Sequence, residues 1–273
     1  MRPIGVFDSG YGGLTVFKEI IKKFPEYDYV YLGDNKRVPY GNRDLQTVYE
    51  YTKECIEYLF DHYDCPLIIL ACNTASAKAL RQFQQNDLAK YGPNKRVLGI
   101  IRPTAEAVGS HLKNPYVGIM ATQGTVDSGS YLEEIKMFFP DIQVFQQACP
   151  NWVPFIENGD FESEELQSFV NLRACQLLDK CPEIGTIILA CTHYPLIKDL
   201  IKRHLPDHVQ LLGQGELVAE SLKDYLQRHP EIESQCTRNM KHIFLTTGNA
   251  QTFQKKSSLF LGKEIKASKV VLG

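Results

Sequence analysis

The chain has no apolar stretch of the length that a membrane span requires. It opens on Met1-Arg2-Pro3-Ile4 and runs straight into an apolar segment, without the apolar core and cleavage site of a secretory leader. A cytoplasmic protein without a membrane role is expected. Charge of either sign is not in excess: 30 Lys and Arg stand against 32 Asp and Glu, a formal net charge of −2. That balance argues against nucleic acid or an anionic surface as a main partner. No two cysteines stand as C-x-x-C, so neither a zinc ribbon nor a thioredoxin-like motif is written here. The glycine-rich segment after Phe7 is not a dinucleotide fingerprint, because Thr15 stands where the last glycine would be. It is not a phosphate-binding loop either, since no Gly-Lys-Ser/Thr follows. No organic cofactor and no catalytic metal are expected.

What the chain does have is a repeated apolar run ending in cysteine. Leu67-Ile68-Ile69-Leu70-Ala71-Cys72-Asn73-Thr74 is matched by Thr186-Ile187-Ile188-Leu189-Ala190-Cys191-Thr192-His193. Each reads as a buried strand that delivers a thiol to its C-terminal end, where open α/β proteins place their chemistry. The other cysteines, at 55, 65, 149, 175, 181 and 236, are expected to be free thiols in a reducing compartment. Packing or surface roles suffice for Cys55, Cys175 and Cys236.

Strand-like and helix-like segments alternate along the chain. Strands are expected at 4–7, 29–32, 67–70, 97–101, 117–120, 142–145, 186–189, 210–212 and, last, 243–246. Helices are expected at 14–24, 45–63, 75–91, 129–138, 164–178, 196–204 and 216–227, with a polar loop over 229–241. Such alternation predicts α/β architecture with mainly parallel sheets flanked by helices. The duplicated run predicts two similar lobes with a site in the cleft between them. The first lobe is placed at 1–97 plus 209–273, the second at 98–208.

Four strand-to-helix junctions carry polar residues suited to a small carboxylate. Asp8-Ser9-Gly10-Tyr11-Gly12-Gly13 lets the backbone approach a ligand and opens a helix whose first N–H groups are free. A plain capped glycine turn would explain that segment equally well. Gly33-Asp34 with Pro39-Tyr40-Gly41 could grip a polar ligand, although an ordinary turn explains it locally. Cys72-Asn73-Thr74 sets a thiol at a helix N-terminus, where the dipole is expected to lower its pKa. Cys191-Thr192-His193 places an imidazole two residues from a thiol, able to tune or relay its proton. One such cysteine could be plain core; two in matched contexts point to chemistry. Thr122-Gln123-Gly124-Thr125 reads as a further anion-binding turn. Cys149 reads locally as core and Glu157 as a solvated carboxylate. A zinc site from Cys72, Cys191 and His193 lacks an obvious fourth ligand. A protease-like triad would leave one of the two thiols unexplained.

Taken together, Phe7 to Val16, Pro39-Tyr40-Gly41, Ala71 to Ala75, Thr122-x-Gly124-Thr125, Cys149-Pro150-x-x-Val153-Pro154 and Ala190 to Leu196 resemble the glutamate racemase family in order and spacing. The resemblance covers residues 4 to about 225. It implies a two-domain fold with pseudo-twofold symmetry and a cofactor-independent interconversion of L- and D-glutamate. It implies Cys72 and Cys191 as the catalytic bases, with Asp8, Asp34, Glu157 and His193 in support. It further implies substrate contacts from Asp8, Ser9, Tyr40, Gly41, Asn73, Thr74, Thr192 and His193, to which the anion-binding turn adds Thr122 and Thr125 as expected substrate contacts. D-Glutamate made this way feeds peptidoglycan and hence cell-wall biogenesis and cell shape. A homodimer is compatible with this reading. Aspartate or hydantoin racemases share the two-thiol logic, and a carboxylate-binding protein without catalysis is a rival of another class. Three departures from the family's usual pattern stand out: Val38 where a cysteine is usual, Arg102-Pro103-Thr104 where Pro-Gly is usual, and Gly213-Gln214-Gly215 where Asp-Ser-Gly is common. None touches the two thiols.

Overall fold

The computed structural model describes residues 2–272. The first part of the chain runs β1 (Ile4–Asp8), α1 (Gly13–Lys23), β2 (Tyr29–Gly33), α2 (Leu45–Tyr63), β3 (Leu67–Leu70), α3 (Asn73–Lys78), α4 (Leu80–Asn86) and β4 (Arg96–Gly99). It continues through α5 (Ile101–Val108), β5 (Tyr116–Ala121), α6 (Gln123–Asp127), α7 (Ser130–Phe138), β6 (Gln143–Ala148), α8 (Trp152–Asn158), α9 (Glu164–Lys180) and β7 (Thr186–Ala190). The remainder comprises α10 (Lys198–Arg203), β8 (Gln210–Leu212), α11 (Gln214–Arg228), α12 (Pro230–Glu233), β9 (His242–Thr246), α13 (Ala250–Leu261) and β10 (Ala267–Lys269).

All strand pairs are parallel and fall into two sheets, ordered β10-β9-β2-β1-β3-β4 and β6-β5-β7-β8. The segment β2-β1-β3-β4 repeats as β6-β5-β7-β8, so the duplication seen in the sequence is a duplication of topology. β3 and β7 hold equivalent places, and each ends one residue or two before its cysteine. Helices cover both faces, which is why β1, β2, β3 and β7 are buried at every position.

Helix boundaries have local causes. α2 starts where Asp44 accepts from the Thr47 N–H at 2.8 Å, and ends at Asp64 in a left-handed conformation (φ 51°). α9 starts at Ser163, which accepts from the Leu166 N–H, and α13 at Asn249, which accepts from the Thr252 N–H. Each such cap is worth about 1 kcal/mol. One apolar cluster runs without a break from Phe17, Tyr29 and Tyr31 in the first lobe to Trp152, Tyr194 and Ile187 in the second.

The structure departs from the expectations in several places. The helix expected over 75–91 is broken at Ala79 (φ −118°, ψ −33°), which leaves the helical geometry. The strand expected to reach residue 101 stops at Gly99, and Ile101 instead opens α5. The polar loop after His229 contains the short α12. Ile243–Thr246 belongs to β9 but is not the last strand, since α13 and β10 follow it. Strand β8, grouped by sequence with the first lobe, pairs with β7 in the second sheet. β4 straddles residue 97 and belongs to the first sheet. Sheet membership therefore changes within the 100–115 segment and again after residue 212.

Candidate active site

Parallel register determines which loops meet. β1 pairs with β3 so that Phe7 lies opposite Leu70, which sets Asp8 and Ser9 beside Cys72. β5 pairs with β7 so that Ala121 lies opposite Ala190, which sets Thr122 beside Cys191. Between the two sets of strand ends lies a cavity of about 250 Å³. Both cysteines line it, with Asp8, Ser9, Asn73 and Thr74 on one side and Thr122, Glu157, Thr192 and His193 on the other. Tyr40 and Gly41 also form part of its wall, as do Val38, Pro150, Val153 and Pro154. A cavity of this size suits a molecule of few heavy atoms, and its mixed apolar and hydroxyl lining suits a short chain with charged ends.

The lobes touch directly around this cavity. Gly124 N–H donates to the Gly41 carbonyl at 2.8 Å, and the Thr74 and Thr122 hydroxyls are 3.1 Å apart. Thr15 donates its hydroxyl to the Thr192 carbonyl at 2.8 Å. Gly12 makes this approach possible: a Cβ there would lie 2.4 Å from His193 Nδ1 and from Thr192 Oγ1.

The two thiols have different neighbours. Cys72 is the N-cap of α3. Its sulfur accepts from the Ala75 N–H at 3.4 Å and lies 3.5 Å from Ser9 Oγ. These donors favour thiolate, as the sequence suggested, yet burial and the Asp8 carboxylate outweigh them and push the thiol up to about 12. The expected lowering of its pKa is thus reversed: α3 has only six residues, and the sulfur is buried beside an acid. Asp8 is itself pushed up to about 6 by burial, opposed by the His193 charge and by the Gly10 N–H, which it holds at 2.8 Å.

Around Cys191 the neighbour is a base. Sγ lies 3.8 Å from His193 Nδ1, and His193 Nε2 lies 2.9 Å from Glu157 Oε1. Burial pulls the imidazole pKa down, but its bonds to Cys191 and Glu157 prevail and push it up to about 10. At neutral pH a positive charge therefore stands beside this sulfur. Glu157 is mostly buried rather than solvated, with its side chain 15% exposed. The edge of Phe260 from α13 packs against the His193 ring at 5.5 Å between centroids.

Two residues singled out from the sequence stay off the cavity wall. Asp34 is buried behind it, accepting from Tyr40 OH at 2.5 Å, Arg37 Nε at 2.6 Å and Thr247 Oγ1 at 2.6 Å. It can hold Tyr40 in place but does not face the cleft. Thr125 is buried beneath Thr122, their hydroxyls 3.1 Å apart. Sequence reasoning missed Tyr131 and Gln214, which pack behind Asn73. Their partners come from distant segments, so Gln214 stood out in the sequence only as part of a departure from the family's pattern and Tyr131 not at all. Among the described residues, no three His, Cys, Asp or Glu side chains are grouped as a metal site. Nor is any described helix long and apolar enough to cross a membrane.

Two parallel-stranded lobes of one topology set two strand-end thiols on one small cavity, the two-domain architecture of amino-acid racemases. The chain belongs to the Asp/Glu/Hydantoin racemase family, whose pattern matches residues 4–222. It is accordingly an isomerase. It is 38% identical to the glutamate racemase of Sulfurihydrogenibium sp. over 272 residues, 99% of this chain and 97% of that one. Among solved structures it resembles glutamate racemase isoform RacE1 of Bacillus anthracis, with 32% identity, TM-score 0.87 and coverage of 99% and 98% of the two chains. It equally resembles the glutamate racemase of Francisella tularensis in complex with D-glutamate, with 30% identity, TM-score 0.87 and the same coverage. The aspartate racemase of Picrophilus torridus shares the fold at 19% identity and TM-score 0.52, covering 85% of this chain and 100% of that one.

Proposed function

We propose that the protein interconverts L- and D-glutamate by moving a proton between Cα and two opposed thiols, Cys72 and Cys191, without a cofactor. The observation that supports this reading is the placement of both sulfurs, from equivalent strand ends of two lobes, on the wall of one cavity. The names of the relatives favour glutamate over other acids.

The hard step is loss of the α-proton from a weak carbon acid. A thiolate on one face takes that proton and becomes a thiol. The electron pair left behind spreads into the substrate α-carboxylate, where N–H and hydroxyl donors meet the growing charge. The thiol on the other face then gives its proton to Cα, and the configuration is inverted. Nothing is oxidised or reduced, and the two sulfurs have exchanged protonation states. At rest Cys72 holds its proton firmly, whereas the Cys191 sulfur faces the His193 imidazolium. The enzyme thus waits with a donor on one side and a cation-supported sulfur on the other. A substrate ammonium entering beside Asp8 would offset that carboxylate's charge and make the Cys72 proton easier to release. Ser9, Tyr40, Gly41, Asn73, Thr74, Thr122 and Thr192 would bind the substrate's ends, with Asp34 and Thr125 holding Tyr40 and Thr122. In this reading the product D-glutamate supplies peptidoglycan synthesis, and the enzyme acts in the cytoplasm.

A coupled assay of D-glutamate formation from L-glutamate tests the proposal, with aspartate and a hydantoin run alongside. Turnover of glutamate well above the others is expected. Preferred turnover of aspartate or the hydantoin would reassign the substrate. Binding of glutamate without any turnover would favour a carboxylate-binding protein instead.

A further inference from the structure

We infer that Gln214 is a positioning residue that turns the Asn73 amide so that an N–H faces the substrate; the inference rests on the reading of Asn73 as a substrate-binding group. Two of the segments that depart from the family's usual pattern, 102–104 and 213–215, meet in space. Thr104 lies on α5 and Gln214 in the first turn of α11, and Gln214 Nε2 donates to Thr104 Oγ1 at 3.0 Å. The same nitrogen donates to Tyr131 OH at 2.6 Å and approaches Asn73 Oδ1 at 3.2 Å. Asn73 Nδ2 donates to Gln214 Oε1 at 2.6 Å, and Tyr131 OH donates to Asn73 Oδ1 at 2.7 Å. All four side chains are buried.

Counting hydrogens fixes the direction of every bond. The Thr104 hydroxyl has one hydrogen, and it goes to the Ile100 carbonyl at 2.6 Å. Thr104 can therefore only accept from Gln214, so the nitrogen end of the Gln214 amide must face it. The oxygen end must then face Asn73, which answers with an N–H. Tyr131 gives its single hydrogen to Asn73 Oδ1 and accepts the other Gln214 N–H. Asn73 is left with one N–H that has no acceptor among the described residues, and Asn73 lines the cavity. Without Gln214 the Asn73 amide could turn over and present its carbonyl to a substrate carboxylate, which would repel it. A lone pair of small residues at these two places could not impose this orientation. The two departures thus meet in one contact, in which the Thr104 hydroxyl orients the Gln214 amide.

The test measures kcat and KM for glutamate in both directions, with melting temperatures, for Gln214→Ala, Tyr131→Phe, Asn73→Ala and the double variant Asn73→Ala/Gln214→Ala. Gln214→Ala and Tyr131→Phe should each raise KM about 10-fold and change kcat by less than about 3-fold. In the Asn73→Ala background, Gln214→Ala should add less than about 2-fold, because the two act through one contact. Tyr131→Phe keeps the core volume and stands in if Gln214→Ala does not fold. A wild-type KM in either folded single variant, or a full further loss in the Asn73→Ala background, would overturn the proposal. If Asn73→Ala itself keeps a wild-type KM, Asn73 is not a substrate ligand and the site reading fails first. If Asn73→Ala raises KM and Gln214→Ala does not, only the role of Gln214 falls.

Discussion

Cys72 and Cys191 occupy equivalent ends of equivalent strands, yet the chain surrounds them with opposite charges. Cys72 faces the Asp8 carboxylate and the Ser9 hydroxyl; Cys191 faces the His193 imidazole, itself held by Glu157. A duplicated fold gives two thiols the same geometry, and a handful of loop residues then gives them different charged neighbours. That difference is useful to a reaction that needs a base on one side and an acid on the other in the same instant.

The comparison breaks most severely if either sulfur is removed. Cys72→Ser and Cys191→Ser should each lower racemisation by about 10²–10⁴-fold, the usual weight of a lost acid or base, with the fold retained. Cys236→Ser, outside the cavity lining, is the control and should keep its activity. Near-normal turnover in either folded active-site variant would remove that thiol from the account.

Gly12→Ala attacks the second thiol's partner without touching it. The added methyl would lie 2.4 Å from His193 Nδ1 and must push the imidazole or the Thr192 segment away. Overpacking of this kind costs about 1–3 kcal/mol, read as a lower melting temperature, and turnover should fall with it. A variant that melts and turns over like the parent would mean that the lobes do not close as described.

Glu157→Gln sharpens the contrast through pH. Glu157 helps to hold His193 charged up to about 10, so its loss should lower the imidazole pKa. The alkaline limb of kcat/KM should then move toward neutrality, at a cost of about 10-fold in rate at pH 8. An unmoved limb would place the titrating group elsewhere.

Asp8→Asn is read in the pH dependence of stability. The folded pKa of Asp8, about 6, lies above its ordinary 3.8. Its contribution is complete below that ordinary value and is lost as pH rises through the folded one. The parent should therefore lose on the order of 3 kcal/mol from this group between pH 4 and pH 8, a slope that Asp8→Asn should lack. Identical pH–stability curves would show that Asp8 is not held in a dry site.

How much of this was legible beforehand follows from where each signal lies. Strands such as Leu67–Leu70 were plain because a sheet covered on both faces requires an unbroken apolar run. α13 was not, because Ser257 fills a core position and the buried side chains Phe253, Phe260 and Leu261 mark the helical period only weakly. β8 was found as a strand but grouped with the wrong sheet, since pairing is decided by tertiary register and not by the strand's own residues. The thiols stood out because their strands repeat. Glu157 was marked by the family resemblance alone, since its partner His193 lies 36 residues away, and Gln214 only as a departure from the family's pattern, since its partners come from three segments that the fold brings together. Asp34 carries the residue type of an acid or base, and only its three hydrogen bonds reveal that it faces Tyr40 and not the cleft.

The central claim is that each thiol serves one face of the substrate carbon, and proton exchange with solvent tests it most directly. In deuterated water at low conversion, the proton taken from Cα stays on one sulfur while the other delivers a deuteron. Product glutamate should carry deuterium at Cα and the unreacted substrate almost none, starting from either enantiomer. Early deuterium in the unreacted substrate, comparable to that in the product, would contradict the account, for it would mean that one base removes and returns the proton on the same face.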